Sequence, residues 1–325
     1  MAITRHLAEL ILHEHRFRPI RGDALLLGRQ EVFMTPDEAQ ALVAQVGLNQ
    51  AKGAFIDYDK HPSHHGQISD ASFFSLFCDA TVRACDVSDY EGAEIIFDLT
   101  QGVPDSLIGR FDFIYNGSVF DNVFDPAACM RHVARMLKPD GVVFHYEGAA
   151  HASPAYLKFT PDWLFDYHAV NRFADFQAYI VTYGNVHADS WSVYEWNAFV
   201  ADDDAAPLTM PMRLGDEAMV VAIAQNAPTA TTELSPLQNI YRGGAHDAYR
   251  AAHRRYAKSA RREGLRNAFR KAPPRQAPQP PAPSMLDAIR GWFAGPAQPR
   301  PDPAPAATDV AGHTHVGLLG APRPS

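Results

Sequence analysis

Between Thr81 and Tyr146 short apolar runs alternate with turn chemistry. The runs are Thr81-Val-Arg-Ala-Cys-Asp86, Glu94-Ile-Ile-Phe-Asp98-Leu99, Phe111-Asp-Phe-Ile-Tyr115-Asn116 and Val142-Val-Phe-His-Tyr146. Runs this short, apolar throughout and bounded by turn residues, read as strands buried on both faces. Between the third and fourth, Pro126 to Leu137 has helical spacing, with Arg135 and Lys138 at the negative end of its dipole. Upstream, Ile3 to Leu12 places Leu7, Leu10 and Ile11 on one helical face, and Asp23-Ala-Leu-Leu-Leu-Gly28 is a strand that stops at glycine. Thr35-Pro-Asp-Glu38 carries a helix start, with Thr as N-cap, Pro at the first position and Glu three residues on. That helix is expected to reach about Val46 and stop before Gly47. Trp163, Phe165, Tyr167 and His168 fall on a helix after Phe159-Thr-Pro161, where such aromatic density reads first as core. Phe176–Thr182 and Ala218–Ala224 supply two late strands. The order predicts an α/β fold with a doubly wound, mostly parallel, seven-stranded sheet.

Charge divides the chain. Residues 1–227 hold 15 Lys and Arg against 31 Asp and Glu, whereas 228–325 hold 14 against 6, so the net charge of −8 conceals an acidic body and a basic tail. Three units follow: an α/β domain at 1–227, a basic helical extension at 228–271, and a Pro- and Ala-rich tail at 272–325 that reads as disordered around one short helical island at 285–293. The island has the look of a docking peptide for a protein partner. The basic stretch, with Arg250, Arg254, Arg255, Lys258, Arg261, Arg262, Arg266 and Arg270, suits either phosphates or the acidic body of its own chain. Its sparse aromatics disfavour nucleic acid. No apolar run reaches the roughly 18 residues of a membrane span, and the N-terminus lacks a signal-peptide pattern, so a cytoplasmic location is expected. Cys78, Cys85 and Cys129 show no paired spacing and read as buried, reduced residues. His61, His64 and His65 lie in a Pro- and Gly-containing stretch better read as a polar loop than as a metal site.

Candidate chemistry sits at strand ends. In an open α/β sheet the ligand binds outside the carboxyl ends of the strands, and Asp86 and Asp98 fall there. An insertion from Asn49 to Asp79 separates Gly28 from Asp86 by 58 residues, whereas a simple dinucleotide-binding unit places its ribose acid about 20 residues on. An ordinary nicotinamide-cofactor reading is therefore weakened.

Taken together, Leu27-Gly-Arg-Gln30, Ser88-Asp-Tyr-Glu-Gly92-Ala, Phe97-Asp-Leu99, Gly109-Arg-Phe-Asp112 and Leu137-Lys-Pro-Asp-Gly141 resemble the class I S-adenosylmethionine-dependent methyltransferases. The resemblance spans Gly22 to Gln225, and within the superfamily it is to a bacterial branch often associated with surface-polysaccharide genes. It implies S-adenosylmethionine as cofactor, with Asp86 on the ribose, Asp98 and the Leu99 backbone at the adenine, and Gly28, Arg29 and Gln30 around the methionine portion; the Arg29 charge leaves two roles open, pairing with the cofactor carboxylate or blocking it. Asn116 joins the cofactor-binding set at the end of the fourth strand, and Asp121 and His145 are the base candidates where an acceptor would sit. The implied acceptor is a small polar molecule, such as a sugar or glycan hydroxyl. Departures are equally legible: one glycine where the family has several, and Asn116-Gly-Ser with Asp121-Asn122 where the branch has an acid, two glycines and a later Glu-His pair. They keep open a second reading, a methyltransferase fold that no longer turns over and serves as a binding or scaffold module.

Overall fold

The computed structural model describes residues 2–61, 64–150, 155–188, 190–196, 198, 217–238, 241, 246–270 and 314–319. Along the chain run β1 (Ala2–Ile3), α1 (Arg5–Phe17), β2 (Asp23–Leu27), β3 (Glu31–Val32), α2 (Pro36–Gln45), α3 (Asp70–Ser75), β4 (Thr81–Asp86), β5 (Ile95–Ile96) and β6 (Phe111–Gly117). There follow α4 (Pro126–Met136), β7 (Leu137–Ala150), α5 (Pro161–Val170), β8 (Asp175–Tyr183), β9 (Trp191–Glu195), β10 (Glu217–Gln225), α6 (His246–Tyr256), α7 (Ala260–Arg270) and β11 (Thr314–Leu319).

Among the described residues the main sheet has nine strands in the order β11-β9-β8-β10-β7-β6-β2-β4-β5. This corrects the seven-stranded, mostly parallel expectation. β5, β4, β2, β6 and β7 pair in parallel, but β10 inserts antiparallel between β7 and β8, and β9 and β11 extend that antiparallel half. β9 escaped the sequence reading because its five residues mix apolar and polar side chains; β11 falls within the segment expected to be disordered. The helical island at 285–293 lies outside the described residues.

Period-two alternation sorts the core into two layers. Ala24 and Leu26 of β2, with Val142, Phe144 and Tyr146 of β7, face α1, α2 and α3; Leu25, Leu27 and Val143 face α4 and α5. The sheet is thus doubly wound, as predicted. Each fully buried Leu or Phe contributes roughly 1.5–3 kcal/mol relative to exposure. The capping box on α2 forms as the Thr35-Pro-Asp-Glu38 spacing requires, with Glu38 Oε2 accepting from the Thr35 N–H at 2.8 Å.

The basic extension is two helices that fold back across the antiparallel half. Tyr249, Ala252 and Tyr256 of α6 join one layer of the core, and Leu265 of α7 joins the other. Arg261 is fully buried: its Nε donates to Glu14 Oε2 at 2.9 Å, its Nη1 pairs with Asp175, and its cation lies over the Phe17 ring at 5.1 Å. Arg262 and Arg266 both pair with Glu195, and Arg255 donates to the Phe173 carbonyl at 3.0 Å. Of the two fates open to this basic stretch, pairing with the chain's own acidic body is the one these bonds realise.

Candidate active site

The chain leaves β2 for β4 and β5 on one side and returns to β6 on the other, so the crevice of the doubly wound sheet opens at the carboxyl end of β2. Leu27 ends β2, and Gly28 turns sharply with φ of 69°, a left-handed conformation that favours glycine. Its N–H donates to the Cys85 carbonyl at 2.8 Å, holding the turn against β4. Asp86 is the next residue of β4 and is half-buried, with Oδ1 accepting from the Val87 N–H at 2.6 Å.

Arg29 is held by groups of its own chain. Its Nη1 donates to Asp70 Oδ1 at 3.1 Å and its Nη2 to the Gly92 carbonyl at 3.0 Å, and it pairs with Glu94, so its charge is already matched by two carboxylates. Asp70 also accepts from the Gln30 N–H at 2.9 Å, and burial pushes its carboxyl upward against the opposing pull of Arg29. The insertion that spaces Gly28 from Asp86 therefore returns to clamp the β2 turn. Sequence reasoning missed Asp70; its signal was the capped start Ser69-Asp-Ala-Ser72 inside a polar stretch.

Gln30 is buried and folded back into the turn, its Nε2 donating to the Leu27 and Gly28 carbonyls at 3.1 and 3.2 Å. Its Oε1 has no partner among the described residues. A Cβ at Gly117, the last residue of β6, would overlap that oxygen and lie 2.6 Å from the Tyr115 ring. Only glycine lets β6 end this close to the turn. Asp98 is exposed, in a turn in which its Oδ1 accepts from Thr100 Oγ1 at 2.7 Å and from the Thr100 N–H at 2.8 Å; these bonds hold its carboxyl below the usual range. Leu99 beside it is buried, and its carbonyl meets His132 Nδ1 at 2.6 Å.

At the ends of β6 and β7 the remaining candidates meet one another rather than open solvent. Asn116, buried and paired in register with His145, donates from Nδ2 to Glu147 Oε1 at 2.6 Å and bonds His145 Nδ1 at 3.0 Å. Asn116 is thus bound to its own chain through both ends of its amide, at the crevice end of β6. Asp121 is buried below the loop, its oxygens accepting from Ser118 Oγ at 2.6 Å and Asn122 Nδ2 at 2.7 Å. Ser118 adopts a left-handed φ of 68°, a conformation costly for a residue other than glycine and concentrated at functional loops. Burial, reinforced by nearby His168, drives the His145 imidazole well below its ordinary pKa. Glu147 is fully buried too, and burial with Asp121 beside it holds its carboxyl well above the usual range. Glu147 was not among the expected residues, although polar side chains at alternate positions of an otherwise apolar strand marked it.

A cavity of about 420 Å³ lies between α4, α5 and residues 235–238, lined by Met130, Arg131, Thr160, Trp163, Tyr167 and Pro236. Trp163 packs edge-on to Phe120, and Phe120 lies against His145. His64 lies 3.1 Å from Glu31 and 3.2 Å from Asp59, and among the described residues no cluster of three or more His, Cys, Asp or Glu has an arrangement to hold a metal. No helix among them is long and apolar enough to cross a membrane.

Residues 71–145 match the family described as "Methyltransferase domain". No match to a curated protein was found. Among solved structures, the chain is similar to the 1,6-didemethyltoxoflavin-N1-methyltransferase of Burkholderia thailandensis, crystallised with 1,6-didemethyltoxoflavin and S-adenosylhomocysteine, at 14% identity over 68% of this chain and 76% of that one, with a TM-score of 0.33. It is similar to the phosphoethanolamine N-methyltransferase 2 of Haemonchus contortus in complex with S-adenosylmethionine at 12% identity over 68% of this chain and 52% of that one, with a TM-score of 0.34. The methyltransferase domain of the citrinin polyketide synthase overlaps at 11% identity over 68% and 52%, with a TM-score of 0.35. The chain spans about half the length of the last two. The fold assignment rests on the strand order above, not on these overlaps.

Proposed function

We propose that this protein is an S-adenosylmethionine-dependent methyltransferase acting on a small polar acceptor. The observation that carries the reading is the Gly28 turn bonded to the end of β4 beside Asp86, at the crevice of a doubly wound sheet, in a chain whose residues 71–145 match a methyltransferase domain. The residues at that crevice fit the cofactor in chemistry. Half-buried Asp86 would accept from ribose hydroxyls, Gln30 Oε1, without a partner among the described residues, lies in the turn that would hold the amino-acid portion, and exposed Asp98 with the Leu99 backbone would meet the base. When bound, the cofactor supplies an electrophilic methyl group.

The protein then has to align an acceptor oxygen and handle its proton. Alignment of this kind is worth effective molarities on the order of 10⁵ M or more. Asp121 and His145 are the groups of this chain closest in role to that proton. His145 accepts at Nδ1 from Asn116, so its Nε2 carries the proton and the buried ring has no nitrogen left to take an acceptor's proton; Asp121, the carboxylate of the loop, is the base we assign. We assign the acceptor to the sugar or glycan hydroxyls on two grounds: the resemblance to the surface-polysaccharide branch, and an exposed edge-to-face pair, Phe124 and Tyr156, on the loops after β6 and β7. Flat aromatic surface of this kind packs against the C–H face of a sugar ring.

The scaffold reading draws on a specific observation as well: Arg29 is saturated by Asp70 and Glu94, and Asn116 and Asp121 are buried in mutual bonds. Calorimetric titration of the full chain with S-adenosylmethionine and S-adenosylhomocysteine decides between them. Micromolar binding that is lost in Asp86→Ala is the expected result. A folded wild type that binds neither compound overturns the enzyme reading and leaves the scaffold.

A further inference from the structure

The cluster at the ends of β6 and β7 has an internal logic of protons that the assigned roles do not use. Val119 N–H donates to Asn116 Oδ1 at 3.2 Å, which fixes the amide so that Nδ2 carries both hydrogens. One goes to Glu147 Oε1 at 2.6 Å and the other to His145 Nδ1 at 3.0 Å. Oε1 also accepts from the Phe120 N–H at 3.2 Å, so this oxygen of Glu147 already serves two donors. Glu147 Oε2 and His145 Nε2 are buried and have no partner among the described residues. All three side chains are fully buried.

A carboxyl in this setting has two donors on Oε1, the Asp121 N–H beside it as a further backbone donor, and no bond to Oε2 among the described residues. The groups that act on it are Asp121 from the loop, Asn116 and Tyr115 from β6, His145 from its own strand, which in turn lies against His168 of α5, and Cys129 from α4. None is a cation. Burying an ionised carboxylate without one is costly, whereas the neutral acid keeps both accepted bonds on Oε1 and carries its proton on Oε2.

The geometry points to Glu147 as a positioning residue that works as the neutral acid, tying Asn116 and Phe120 into one bonded unit so that the Ser118–Asn122 loop keeps Asp121 at the ends of β6 and β7. It acts on the acceptor only through that loop, and so rests on the reading of this edge as the acceptor side.

The test compares wild type, Glu147→Gln and Glu147→Ala by denaturant unfolding between pH 5 and 8 and by hydrogen exchange across residues 116–122, neither of which needs a cofactor. Gln reproduces an acceptor at Oε1 and a donor in place of the acid hydroxyl. If Glu147 is neutral when folded and ionised when unfolded, the folded protein holds one more proton. Wild-type stability then falls relative to Glu147→Gln as pH rises above about 4.5, by up to tenfold in the unfolding equilibrium constant per pH unit until Glu147 itself ionises in the folded state. The expected result is this widening gap, with loop exchange in the Gln variant within about threefold of wild type and at least tenfold faster in the Ala variant. Parallel pH profiles for wild type and Gln, or a Gln loop that exchanges as fast as the Ala one, overturn the proposal. Should the Ala variant fail to fold, the Gln comparison decides alone. Failure of the cofactor reading shows separately, as a wild type that binds no S-adenosylhomocysteine while these readouts stand.

Discussion

Gly117 shows how one missing methyl group holds a crevice open. Its Cβ would strike Gln30 Oε1, and Gln30 would then have to release the Leu27 and Gly28 carbonyls that its Nε2 now satisfies. Gly117→Ala is therefore expected to destabilise the fold by about 1–3 kcal/mol, checked by urea unfolding, and to weaken cofactor binding in the same samples. His168 gives a second prediction. It is fully buried, donates from Nδ1 to the Leu164 carbonyl at 2.7 Å, and burial lowers its pKa to about 4. Because the folded pKa is depressed, the unfolded chain takes up the proton first. The stability due to neutral His168 is complete above pH ~6.5 and is lost as pH falls toward about 4, a total of roughly 3 kcal/mol. His168→Gln should flatten the acid limb of a stability-against-pH curve; an unchanged slope would mean that the ring is already protonated in the native state.

The helix α2 is legible in the sequence because its signals are local. Thr35, Pro36 and Glu38 act within one turn, and the capping box forms with the reciprocal bonds that their spacing requires. Thr35→Ala is expected to cost about 1 kcal/mol, read as a shift in thermal midpoint. The basic segment behaves differently. Its helical spacing is visible along the chain, but it divides after Tyr256, and Ser259 marks the break by bonding Asp175 Oδ2 at 2.7 Å and accepting from the Arg261 N–H at 3.1 Å. That division lets α6 pack on one layer and α7 on the other. Period alone carries no information about a partner on a distant strand.

Arg261 joins the ends of the chain to its middle, meeting Glu14 near the start and Asp175 of β8. Removing one partner of a buried ion pair leaves the others uncompensated, so Arg261→Ala should destabilise by about 3–5 kcal/mol. Arg261→Met paired with Glu14→Leu and Asp175→Asn should recover much of that loss, because no carboxylate is then left without its cation. Chemical denaturation of the single and triple variants measures both. An Arg261→Ala protein as stable as wild type would mean that the basic helices sit loosely on the body.

Composition and periodicity by themselves determined that this chain builds an α/β domain with parallel strands at β2, β4, β6 and β7, and that Asp86 ends a strand while Gly28 and Asp98 lie in the turns just past two others, because strand and helix periods and turn residues act over a few neighbouring positions. They also marked the acidic body and the basic segment. Only the tertiary structure decided that β10 inserts antiparallel beside β7, that Arg29 is spent on Asp70 and Glu94, that Asn116 and His145 converge on Glu147, and that the basic helices neutralise their own chain. Those outcomes depend on strand order and register, which bring together residues tens or hundreds of positions apart. Charge, burial and hydrogen bonding are properties of such juxtapositions, and no window along the chain contains them.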